Sequence, residues 1–74
     1  MTAAQWRLLD ALCAADRGLI IPLDDYPRAR IASALDRHGY AEVQGFEAGR
    51  MFVRVTNHGR VLRETVRRPR EVSP

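Results

Sequence analysis

The sequence has no lysine, a single cysteine, and no apolar run approaching the roughly 20 residues of a membrane-spanning helix. One cysteine excludes an internal disulfide, and Cys13, His38 and His58 stand at no zinc-ligand spacing. Neither usual staple of small folds is at hand, and a chain of 74 residues buries only about 60% of its unfolded surface. Assembly as a homodimer is the expected compensation. Trp6-Arg7 stands where a signal peptide would carry an apolar run, so the chain reads as cytoplasmic, without a membrane partner. All 12 basic side chains are arginines, a usage that a GC-rich genome also produces and that does not by itself identify phosphate recognition.

The distribution of charge says more than its sum. From Met1 to Asp25 two arginines face four aspartates, whereas from Arg50 to Pro74 seven arginines face two glutamates. An acidic front and a basic back favour an anionic partner, with a solvated basic tail as the plainer alternative. Nothing points to an enzyme. His38 and His58 have no nucleophile at a motif spacing, the Asp24-Asp25 pair suits helix capping better than a metal site, and Cys13 belongs to an apolar stripe. No cofactor is implied.

Thr2-Ala3-Ala4-Gln5 fits a capping box, which predicts a first helix with Trp6, Leu9 and Cys13 on its inner stripe and Gly18 as its stop. Leu19-Ile20-Ile21 reads as a short strand that Pro22 ends or confines to an edge. Asp24 or Asp25 then caps a second helix, tolerant of Pro27 in its first turn, that runs to about His38 with Ile31, Ala34 and Leu35 inside. Gly39-Tyr40 suits a Schellman ending. Segments Tyr40 to Gln44 and Arg50 to Thr56 read as a hairpin joined by the loop Gly45 to Gly49. Ala41, Val43, Met51, Val53 and Val55 face inward, and Glu42, Gln44, Arg50, Phe52 and Arg54 outward. Thr56 caps a third helix whose apolar stripe is Val61, Leu62, Thr65 and Val66. The domain thus spans residues 1–68, and 69–74 reads as a disordered tail.

This α+β order, helix-strand-helix-strand-strand-helix, resembles the winged helix-turn-helix family. "RIASALDRHGYAEV", Arg30 to Val43, is similar to a recognition helix running into the first wing strand. "FVRVTNHGRVL", Phe52 to Leu62, is similar to the second wing strand and following helix of MarR-like and PadR-like regulators. The family's second helix is missing or reduced to a turn after Pro22. The resemblance implies a transcriptional regulator that binds double-stranded DNA, with dimerisation through the terminal helices around Trp6, Leu62 and Val66.

Six residues form the candidate DNA surface. Arg30, Ser33 and Arg37 share one outward sector of the second helix, where long donors can take guanine edges or phosphates. Arg28 lies near the helix start, and Arg50 and Arg54 project together from the wing. Glu42 threatens Arg54 if it lies opposite. The arginines from Arg60 to Arg70 would extend the positive surface. Two alternatives remain: a protein-interaction adaptor using Trp6, Phe46 and Phe52, and RNA binding through the basic tail.

Overall fold

A computed structural model describes the backbone of residues 1–72 and the side chains of 1–66. The chain forms an α+β fold in the order α1 (Ala3–Ala14), β1 (Leu19–Pro22), α2 (Tyr26–Arg37), β2 (Ala41–Glu47), β3 (Arg50–Val55) and α3 (Asn57–Val72). The three strands make one antiparallel sheet, ordered β1-β3-β2. Leu8, Leu9 and Leu12 of α1 and Ala32 and Leu35 of α2 pack on Ile21, Ala41, Met51 and Val53 of the sheet, and these are the buried hydrophobic core among the described residues.

Local chemistry sets most boundaries. The Thr2 hydroxyl accepts the Gln5 amide at 3.1 Å while the Gln5 side chain accepts the Thr2 amide at 2.9 Å, a complete capping box. Helix α1 ends at Ala14 with Ala15 as its cap; Gly18, expected to stop it, instead makes the turn into β1 at φ +91°. That glycine is required, because a Cβ there would lie 2.5 Å from the Val53 carbonyl oxygen. Asp25 caps α2 by accepting the Arg28 amide. The inner stripe of α2 is centred on Ala32 and Leu35, with Ile31 and Ala34 half-buried, one position round from the expected stripe. At its other end the Tyr40 amide donates to Leu35 O and the Gly39 amide to Asp36 O, both at 2.9 Å, with Gly39 at φ +82°. This is the expected Schellman ending. The Tyr40 ring stacks on His58 at 4.9 Å between centroids.

Only Leu23, Asp24 and Asp25 connect β1 to α2. The Leu23 amide donates to Gly49 O at 2.8 Å and the Asp25 amide to Pro22 O at 3.1 Å. The start of α2 is thereby lashed directly to the hairpin tip.

The hairpin is longer and tighter than its glycines suggested. Strand β2 continues through Gly45, Phe46 and Glu47, and the turn is Ala48-Gly49 alone. Both turn residues have positive φ, +52° and +74°, the signature of a type I′ turn. An L-alanine in the left-handed region costs about 1–2 kcal/mol, and asparagine tolerates it better. Ala48→Asn is therefore expected to add about 0.5–1 kcal/mol of stability. A thermal melt should show the midpoint a few degrees higher, about 4–8 °C per kcal/mol at this size.

Helix α3 leans on α1 through the ion pair Arg63 to Asp10. Val61 is exposed and Leu62 half-buried, so the third helix covers the core's edge without entering it. Its bounds take in 69–72 of the segment expected to be a disordered tail, but the side chains there, and residues 73–74 altogether, lie outside the described residues.

Candidate nucleic-acid interface

Helical period places Tyr26, Arg30, Ser33 and Arg37 within a sector of roughly 60° on α2, opposite Ala32 and Leu35. All four are exposed. They line an open concavity of about 260 Å³ together with Leu23, Ala29, Phe46 and Met51. Among the described residues, no carboxylate belongs to that lining. Asp36, a possible neutraliser of Arg37, instead accepts the Val43 amide at 3.2 Å and ties the end of α2 to β2.

The other three candidate arginines do not join this group. Arg28 is two residues from Arg30, about 200° round the helix, and lines a separate cleft against α1 beside Arg7, Ala11 and Ile31. Arg50 and Arg54 alternate with the buried Met51 and Val53, so they leave the sheet on the side away from α1 and α2. Each also faces a glutamate across the strand pair: Glu47 opposite Arg50, Glu42 opposite Arg54. The expected single positive face of α2 and wing is therefore split between opposite sides of the fold.

What the β2–β3 hairpin does present to α2 is Phe46. The register steps from Val43↔Val53 to Gly45↔Phe52, so Gln44 is an extra residue in β2. Without this bulge, alternation from Ala41 and Val43 would put Phe46 on the outer face. With it, Phe46 pairs with Met51 and stands on the inner face, past the end of the core. It is 65% exposed, and Tyr26 is 70% exposed. Sequence reasoning left Tyr26 out and put Phe46 in a loop. The available signals were Tyr26's spacing of four from Arg30 and a lone glycine, Gly45, inside an alternating segment.

Arg60 and Arg63 of α3 are already engaged. Arg63 pairs with Asp10, and this hydrogen bond pushes the guanidinium pKa up; Arg60 donates to the Cys13 carbonyl at 3.5 Å. Burial raises the Cys13 thiol above its ordinary value, an effect opposed by Arg63 and Arg60, so the group stays a neutral, half-buried packing residue. Arg67, Arg68 and Arg70 lie outside the described side chains. Among the described residues no three His, Cys, Asp or Glu side chains gather as a metal site, and no helix is long and apolar enough to cross a membrane.

The chain matches no family model, no curated protein and no solved structure.

Proposed function

We propose that this chain is a small DNA-binding module that holds a duplex through the exposed face of α2, with Arg30 and Arg37 as phosphate or base-edge donors and Ser33 between them. The observation that carries this reading is the concavity in which both arginines are exposed and, among the described residues, no carboxylate is present. Along the helix axis the two are about 10 Å apart, and α2 is about 18 Å long, dimensions that suit a major groove about 12 Å wide. A guanidinium free of a protein partner keeps its donors for a phosphate or for guanine O6 and N7.

The element order and the β1-β3-β2 sheet support a reduced winged helix, whose expected use is transcriptional regulation as a homodimer. In this reading Arg50 and Arg54, each opposite a glutamate on β2, take no part in holding the duplex. The test is fluorescence anisotropy with a mixed-sequence duplex at two salt concentrations, comparing wild type with arginine-to-glutamine pairs on α2 and on the outer sheet face. Salt-insensitive or absent binding refutes the proposal.

The adaptor reading draws on the same place, because two exposed aromatic rings also suit a protein partner. It requires capture of that partner to survive the loss of Arg30 and Arg37.

A further inference from the structure

Three observations converge at one end of the concavity. The three-residue link lashes the first turn of α2, and so Tyr26, to the hairpin tip through Leu23 and Gly49. The bulge at Gln44 turns Phe46 from the outer face of the sheet toward α2. Both rings then remain mostly in solvent beside Arg30 and Arg37, although a fold with this small a core could gain by covering them. An aromatic face in a carboxylate-free basic groove is what binds unpaired bases, since every base has a π-face and the guanidinium groups hold its phosphates. A paired and stacked base offers no such face. At about 260 Å³ the concavity suits one planar group, below the usual range of roughly 300–1,000 Å³ for drug-sized ligands.

We infer that Tyr26 and Phe46 seat an unpaired nucleobase of the DNA strand held by Arg30 and Arg37, which makes DNA with an unpaired base preferred over a perfect duplex at this site. The inference rests on the DNA-binding reading of α2 and adds a specificity to it. The unpaired base can come from a bulge or from a wholly single strand; the chemistry is shared, and the probes separate the sources.

Anisotropy is measured with three DNAs of equal length: a perfect duplex, the same duplex with one unpaired thymine, and oligo(dT). The bulged duplex is expected to bind about tenfold more tightly than the perfect one, in line with the usual worth of one base–aromatic stack. Tyr26→Ala and Phe46→Ala should each remove most of that gain, Tyr26→Phe should keep it, and none should alter affinity for the perfect duplex. A 2-aminopurine at the unpaired position should be quenched by wild type and less so by the alanine variants. Both rings are exposed, so circular dichroism should show unchanged folding.

Oligo(dT) binding as tight as the bulged duplex would assign the base to a free strand, still within the inference. Equal affinity for bulged and perfect duplex, or equal loss of both in the alanine variants, overturns it while duplex binding through Arg30 and Arg37 stands. No binding to any of the three DNAs overturns both.

Discussion

Replacing Arg30 and Arg37 together by glutamine is expected to weaken binding to a perfect duplex about fiftyfold at about 0.1 M salt, while the same change at Arg50 and Arg54 stays within about threefold. Each phosphate contact contributes nearly one unit to the log-log salt slope. At a tenth molar salt each contact is therefore worth somewhat under a factor of ten, and two lost together multiply. The slope itself should fall by about two units for the α2 pair and remain unchanged for the sheet pair. Both variants lose the same net charge. Long-range attraction, screened over about 10 Å in such a buffer, affects them alike and cancels in the comparison. What differs is position: Arg30 and Arg37 share an open groove without carboxylates, whereas Arg50 and Arg54 face Glu47 and Glu42 on the far side of the sheet. Equal losses would mean that binding follows total charge, and the assignment to α2 would fail.

The split between these two pairs shows where sequence reasoning ran out. Alternation along β3 correctly separated Met51 and Val53 from Arg50, Phe52 and Arg54. The helix caps at Thr2, Asp25 and Thr56 and the Schellman ending at Gly39 were also legible, because each is settled by residues within a few positions. "Outward", however, means opposite directions for two layers packed through their inner faces, so the outer face of the sheet and the outer face of α2 do not meet. No periodicity within one element reveals that.

The bulge was hidden for a related reason. Gly45 fits a loop and a bulged strand equally well, and the choice depends on pairing with β3 at Phe52 and Val53. The turn was obscured by Ala48, a residue with no preference for the positive φ it adopts. Tyr26 owes its position by the hairpin tip to the shortness of the link before it. The sequence contained that shortness, but its consequence is spatial.

Gly59→Ala is expected to destabilise the fold by about 2–4 kcal/mol, reversing the usual gain of about 1 kcal/mol for this change in an exposed helix. Gly59 lies buried in the first turn of α3, where its amide donates to the Thr56 hydroxyl at 3.0 Å. An added Cβ would fall far inside the van der Waals contact distance of the Tyr40 carbonyl oxygen and 3.0 Å from both Tyr40 C and Val55 Cγ2. The carbonyl cannot simply retreat. It accepts the Thr56 amide at 3.2 Å, and the Thr56 hydroxyl donates in turn to Gly39 O at 2.6 Å, so the turn after α2 and the start of α3 are fastened at one point. Relieving the clash must stretch these bonds, each worth about 1 kcal/mol, or tilt α3 off α1.

At roughly 0.05–0.15 kcal/mol per residue, a domain of this length has only about 4–11 kcal/mol in total. Chemical denaturation should therefore show the midpoint sharply lowered or the cooperative transition lost. Gly45→Ala is the matched control: its Cβ would meet nothing within 4 Å and its φ is not positive, so a change within about 0.5 kcal/mol is expected. Were Gly59→Ala to melt with the wild type, the junction at Tyr40 would be free to yield, and the end of α2 would be held by Leu35 in the core and by the Asp36 tie to the Val43 amide.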